Sequence, residues 1–335
     1  MRPSARSIIS GLAVLAAGSV VASAVAGCSA SAGQAYDHHP AKTSAPAVTS
    51  SAPASTVPQA VSTAAPSSPT PRILVAGAPR GVKAKAGILA DAATGQVLWA
   101  KDATVQRPIA SIAKVMTAYL VIQGGDLDRK IVIPKGVLNY VWKYGANSAG
   151  LVPGNVLTVD ELLHALLITS AADAAYTLAT TYGPGVPAFV AKMNATAQQL
   201  GLTHTHFTSP DGLPYPTETS TYSTPVELLK LGEAAMQSPE FRSIVDERFY
   251  SLKKGPGHRS YWWGNSNELI GYYPGAIGIK TGYTDQAGHC LLFEAVRGGR
   301  TLIGVVLGSP PTGPSAGAQD AARVLNWGFA LKQSG

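Results

Sequence analysis

Cysteine is nearly missing from this 335-residue chain, which has two, Cys28 and Cys290. Cys28 closes an apolar leader, so the folded part holds one thiol and cannot be built on a disulfide framework. Cys290, flanked by Leu291 and Leu292, reads as a small buried hydrophobe rather than a reactive thiol. Charge is also sparse: 13% of residues are Asp, Glu, Lys or Arg, and the net charge is +7. No dense Lys/Arg stripe occurs, which argues against nucleic acid as a partner. Histidines are few. His204 and His206 alternate as strand neighbours do, but no third ligand has zinc-site spacing. The expectation is therefore no metal and no cofactor. Internal repeats are lacking too, which excludes a solenoid.

The first 80 residues carry no core-building pattern. Arg2 and Arg6 precede an uncharged run, Ile8 to Gly27, rich in Ala, Val, Ile and Leu. A basic start, an apolar run and small residues before a break read as a secretory signal. The run is also about long enough to span a bilayer, so an uncleaved anchor is the alternative. Val25-Ala26-Gly27-Cys28 resembles the bacterial lipobox, with Val where Leu is commonest. That resemblance implies that Cys28 is lipidated and begins the mature chain, tying the protein to a membrane. Ser29 to Pro71 is then Ser, Ala, Thr, Pro and Val, with seven prolines and only Asp37 and Lys42 charged. Such a segment cannot bury enough apolar surface to offset its ordering entropy. At polyproline spacing it would reach roughly 130 Å. The expected layout is a leader over 1–28, a disordered tether over 29–80 and a folded domain over 81–335.

The folded part begins and ends in strands. "GILADAATGQVLWAK" (Gly87 to Lys101) gives two short apolar runs around a turn, a β-hairpin signal. "HCLLFEAVRGGRTLIGVVLG" (His289 to Gly308) repeats the pattern around Arg297-Gly-Gly-Arg300, and "GAIGIKTGY" (Gly275 to Tyr283) reads as a strand before it. Strands clustered at both ends must meet in one antiparallel sheet. The middle is helical. Thr158-Val-Asp-Glu161 and Thr224-Pro225-Val-Glu227 have capping-box spacing before apolar runs. Phe189 to Leu200 and Gln319 to Leu331 add amphipathic helices. The fold class is α+β, with a helical region inserted into a sheet drawn from both chain ends.

One stretch raises a chemical question. In "PIASIAKV" (Pro108 to Val115) a serine and a lysine stand three apart where a helix should begin, with Pro108 placed in its first turn. A serine needs a base to become a nucleophile, and a lysine serves only if burial or a second cation lowers its pKa. Ile112, Ala113, Val115 and Met116 would supply the burial around Ser111 and Lys114. The spacing alone is weak, since Ser251-Leu-Lys-Lys254 repeats it without helix or apolar surroundings. A second cation is available in Lys280-Thr281-Gly282, on the strand before the closing hairpin. Read alone, that tripeptide is an ordinary edge strand.

Together, S-x-x-K at a helix start and K-T-G on a late strand follow the order of the penicillin-recognising serine enzymes. "ILADAATGQVLWAKDATVQRPIASIAKVMTAYL", "FVAKMNATAQQLGLTHTHFTSPDGL" and "YPGAIGIKTGYTDQAGHCLLFEAVRGGRTLIGVVLG" resemble the serine-type D-alanyl-D-alanine carboxypeptidases, the low-molecular-mass penicillin-binding proteins. The resemblance spans about Lys85 to Leu331 and implies the β-lactamase/penicillin-binding-protein-like fold. It also implies roles. Ser111 would attack the bond between two terminal D-alanines of a peptidoglycan stem peptide and form an acyl-enzyme, the step β-lactam antibiotics block. Lys114 would take its proton, and Ser170 would relay one to the leaving D-alanine. Lys280 and Thr281 would hold the substrate's free carboxylate, with Gly282 removing a side chain where substrate must lie. The backbone N–H groups of Ser111 and Tyr283 would form the oxyanion hole. Relatives often carry a further β-domain and an amphipathic C-terminal anchor; here the lipid at Cys28 is expected to do the anchoring.

One departure stands out. The family's second motif, S-x-N, reads Ser170-Ala171-Ala172, and no S-x-N occurs anywhere in the chain. Asp173 and Asn147 are the polar candidates to take the missing amide's place. Ser209 in "FTSPDGL" replaces a usual Asn and should affect only loop bonding. Two other readings follow. A class A β-lactamase would need a deacylating Glu, for which Glu218 is the best-placed acid but lacks the E-x-x-L-N context. A non-catalytic peptidoglycan-binding domain would follow if Ala172 has abolished turnover. His164 reads as solvated, and the pair Trp262–Trp263 either lines the cleft or packs in the core.

Overall fold

In this computed structural model residues 77–313 and 315–332 are described. The leader, Cys28 and nearly all of the tether expected over 29–80 lie outside them. Among the described residues no helix is long and apolar enough to cross a membrane.

The chain runs β1 (Ala86–Asp91), β2 (Val97–Lys101), a short β3 (Arg107–Pro108) and a 3₁₀ turn (Ala110–Ala113) leading into α1 (Lys114–Gln123). There follow β4 (Lys130–Val132), α2 (Gly136–Tyr144), β5 (Val156–Thr158), α3 (Val159–Ile168), α4 (Ala172–Tyr182) and α5 (Val186–Gln199). Then come β6 (Tyr222–Ser223), α6 (Pro225–Met236), α7 (Pro239–Asp246) and the hairpin β7 (Phe249–Leu252) and β8 (Tyr261–Gly264). The end is β9 (Ala276–Thr284), β10 (Gly288–Arg297), β11 (Arg300–Ser309) and α8 (Ala316–Ala330).

The two chain ends do meet. The main sheet has the order β2-β1-β11-β10-β9, all antiparallel, with Ile88 opposite Val305 and Leu292 opposite Lys280. Arg297 faces Arg300 across a two-residue turn, so Gly298 and Gly299 are its centre. Both have φ near +60 to +80°, as the primed hairpin turn that matches strand twist requires.

Alternation along the strands divides two cores. Ile88, Leu292, Ile303 and Val305 point toward the helical region, where Ile112, Met116, Leu166 and Leu228 cover them. Leu89, Leu291, Phe293 and Val306 point the other way and are covered by Val324 and Leu325 of α8. Both faces of the central strands are thus buried, and the sheet's two edges are β2 and β9. The β9 edge faces the start of α1 and is where chemistry can reach the backbone.

The cap at Thr158 is a complete capping box: its hydroxyl accepts from Glu161 N at 3.1 Å, and the Glu161 carboxylate accepts from Thr158 N at 2.8 Å. The second expected box forms only by half. Thr224 caps Glu227 N at 3.2 Å, but the Glu227 carboxylate turns away to His204 N and the Thr205 hydroxyl. Burial inverts the expectation for His164. The ring is 5% exposed, lies 4.0 Å from the Tyr250 ring and pairs through Nδ1 with the Asp160 carbonyl at 2.8 Å.

Candidate active site

Pro108 does not enter the helix. It ends β3, paired with Tyr222, and the helical path opens one step later in the 3₁₀ turn. Ala110 takes φ +47°, a conformation rarely adopted by a residue with a side chain, to make that step. Two glycines hold the turn from outside. A Cβ on Gly212 would stand 1.9 Å from the Ala110 carbonyl oxygen, and one on Gly282 would stand 2.7 Å from that of Ile109 and 3.2 Å from Ser111 N. β9 and the 209–213 loop can therefore lie directly against the turn that carries Ser111. No side chain larger than hydrogen fits at either contact.

Ser111 and Lys114 meet as the spacing requires. Lys114 Nζ donates to Ser111 Oγ at 2.8 Å and to the Asp211 carbonyl at 2.9 Å. Lys114 is 2% exposed, and burial lowers its pKa from 10.5 to about 8 against the pull of the Asp211 and Asp173 carboxylates. Lys280, 1% exposed, is lowered well below its ordinary value by burial and then by the Lys114 charge. Its Nζ donates to the Thr281 carbonyl at 3.0 Å and the Thr281 hydroxyl at 3.2 Å. The second serine-lysine spacing comes to nothing: Ser251 lies exposed on β7, and Lys254 is exposed beyond it.

Ser111, Lys114, Ser170, Thr281, Gly282 and Tyr283 line one cleft of about 480 Å³. Ser170 reaches it from the turn between α3 and α4, at φ +64° and 8% exposed. Ala172 begins α4 on the same wall. Of the two polar neighbours, Asp173 is fully engaged elsewhere: its carboxylate accepts from the Ser148 hydroxyl at 2.6 Å and from Ala149 N and Leu151 N, both at 3.0 Å. Asn147 lies on the cleft itself.

Some of the cleft escapes sequence reasoning. Ser266 bonds the Thr281 hydroxyl at 2.9 Å, and the Asp211 carbonyl receives Lys114. The Asn-Ser-Asn run of 265–267 and the Ser-Pro-Asp-Gly run of 209–212 are turn signals that mark both places without revealing their use. Trp262 and Trp263 stay off the cleft. Trp263 is buried against Tyr250, and Trp262 stacks on Phe249. Cys290 is buried at the cleft wall, its thiol pushed up to about 11 by desolvation, hence unreactive. Glu218 is exposed and is not among the residues lining the cleft.

The family model for D-alanyl-D-alanine carboxypeptidases, peptidase family S11, matches residues 74–311. The chain belongs to this family. It is 39% identical over 262 residues to a carboxypeptidase of Streptomyces sp. K15, covering 75% of this chain and 88% of that one. Identity to DacB2 of Mycobacterium tuberculosis is also 39%, over 74% of this chain and 83% of the relative. The crystal structure of the Streptomyces K15 DD-transpeptidase superimposes with a TM-score of 0.70 over 75% of this chain and 98% of its own, at 39% identity. A D-alanyl-D-alanine carboxypeptidase structure from M. tuberculosis gives 0.68 at 37% identity, over 77% and 97%. The fold is thus that of the penicillin-binding carboxypeptidases, as the resemblance implied. The protein is a serine-type carboxypeptidase that modifies peptidoglycan outside the cytoplasm. The β-lactamase and binding-domain readings are not favoured.

Proposed function

We propose that Ser111 is the nucleophile of this carboxypeptidase and Lys114 its base. The observation that carries the assignment is the 2.8 Å Nζ–Oγ hydrogen bond to a buried lysine whose pKa has fallen to about 8. Neutral Lys114 takes the hydroxyl proton as Ser111 Oγ bonds to the carbonyl carbon of the penultimate D-alanine. The oxyanion is received by the N–H groups of Ser111 and Tyr283, each such donor being worth roughly 2.7–4 kcal/mol. Collapse breaks the carbon–nitrogen bond. The proton passes from Lys114 through the Ser170 hydroxyl to the leaving amine, so D-alanine departs neutral at nitrogen and the acyl group stays on Ser111. Water then repeats the sequence, freeing the shortened peptide and Ser111. Lys280 and Thr281 hold the substrate carboxylate, and Gly282 lets β9 lie against the turn that carries Ser111. A β-lactam enters the same route and stops at the acyl-enzyme.

The layout around this domain is part of the proposal. A leader over 1–28 ends at Cys28, which carries a lipid. Residues 29–80 tether the catalytic domain, 81–335, at a distance from the membrane and within reach of the wall. Cys28→Ser should move the protein from membrane to medium or leave its leader uncleaved; normal lipid labelling of that variant would refute the anchor.

Intact mass of the full chain incubated with penicillin, beside Ser111→Ala, tests the site. A persistent adduct absent from the variant, followed by D-alanine release from a stem pentapeptide, is the expected result. Rapid loss of penicillin without an adduct would point to a β-lactamase. Intact penicillin and no adduct would overturn the assignment of Ser111.

A further inference from the structure

We infer that the Asn147 side chain binds the backbone of the substrate peptide across the cleft from β9, and that this is the amide the Ser170–Ala172 segment does not supply. The inference rests on the proposed site. β9 is the edge of the sheet, so a stem peptide extended along it can pair one of its own edges with strand backbone. Its outer edge then leaves water as well, and each N–H and C=O there needs a partner.

The opposite wall is poor in such partners. Gly145, Ala146 and Ala172 bring no polar side chain, and among the described residues lining the cleft Asn147 is the one carboxamide. It is also held in place. Its backbone carbonyl accepts from Ala172 N at 2.8 Å, and its Nδ2 donates to the Thr169 carbonyl. These two bonds grip the turn on either side of Ser170, which sits at φ +64°. Behind it, the Asp173 carboxylate fixes the loop from Ser148 to Leu151.

A carboxamide offers two N–H donors and one oxygen acceptor. One donor goes to Thr169; the second donor and Oδ1 make no other hydrogen bond among the described residues. That pair matches one substrate C=O and one substrate N–H. Ala172, ending at a methyl group, leaves the space open.

Two β-lactams separate substrate contact from mere support of Ser170. Benzylpenicillin carries an acyl side-chain amide that imitates the peptide backbone, and 6-aminopenicillanic acid has the same reactive ring without it. Acylation rates of the full chain are measured with each. Asn147→Ala should slow benzylpenicillin about ten- to a hundredfold, the usual cost of such hydrogen bonds, and slow 6-aminopenicillanic acid several-fold less. Adding Ala172→Asn to Asn147→Ala should restore most of the benzylpenicillin rate. An equal loss for both compounds, or no loss, would overturn the inference and leave the site assignment standing. Failure of the unaltered protein to form any Ser111 adduct would instead overturn that assignment. Asn147→Ser, which keeps a donor for Thr169, takes the place of the alanine variant if thermal unfolding shows that one to be unfolded.

Discussion

Raising the pH from 6 to 8 should speed acylation of Ser111 by penicillin roughly fiftyfold, because in the proposed mechanism only neutral Lys114 accepts the serine proton. With a pKa of about 8, the neutral fraction is about one in a hundred at pH 6, one in ten at pH 7 and one in two at pH 8. The assay is the second-order rate of labelling by a fluorescent penicillin, which reports the free enzyme. A change of less than about threefold across this window would refute Lys114 as the base. The same shift has a stability signature whose sign is fixed. The folded pKa lies below 10.5, so between about 8 and 10.5 the unfolded chain binds the extra proton and stability rises with pH. The drop amounts to about 3 kcal/mol held against the folded state when Lys114 is charged, present in full below pH 8 and gone above 10.5. Lys114→Met should lose that rise, along with all acylation. Unfolding curves of the variant and the unaltered protein at pH 7 and pH 10 compare them.

Two further substitutions probe the walls of the cleft. Gly282→Ala places a methyl 2.7 Å from the Ile109 carbonyl oxygen and should push β9 off the Ser111 turn. Penicillin labelling should fall at least a hundredfold while circular dichroism stays native; labelling at the normal rate would show that the close approach is not needed. Asp173→Ala removes a buried carboxylate that receives the Ser148 hydroxyl and two loop N–H groups. About 3 kcal/mol of stability should go with it, read by denaturant unfolding, and a loss under about 1 kcal/mol would deny the loop-holding role.

Much of this was legible because local and long-range signals agreed. The hairpin turns, the Thr158 capping box and the strand alternation each depend on near neighbours, and all formed as read. Strands clustered at both termini point to one shared antiparallel sheet, and that sheet forms; the pairing of β1 with β11 within it is seen only in the structure. The serine-lysine pair was legible for the same reason: three residues of helix bring the side chains together. What could not be read depended on partners distant in sequence. Glu227 leaves its own helix cap because His204 and Thr205, folded against it, offer buried donors. His164 turns inward because the Tyr250 ring packs on it and the Glu247 carboxylate comes within 3.4 Å of its Nε2, both from elsewhere in the chain. Pro108 stays in a strand because Tyr222 pairs with it. Asn147 and Asp173 were indistinguishable on paper. Only the loop from Ser148 to Leu151, wrapping the Asp173 carboxylate, decides between them.

The pairing of β1 with β11 also governs when activity can begin. Ile88 finds its partner in Val305, more than two hundred residues further along the chain. Ser111 and Lys114 are synthesised early, yet Lys280 and Tyr283 arrive only with β9, itself held by β10 and β11. Closing so large a loop is slow compared with forming helices. A growing chain therefore carries the proposed nucleophile, Ser111, without the strand proposed to aim a substrate at it. Catalytic competence is among the last properties this molecule acquires.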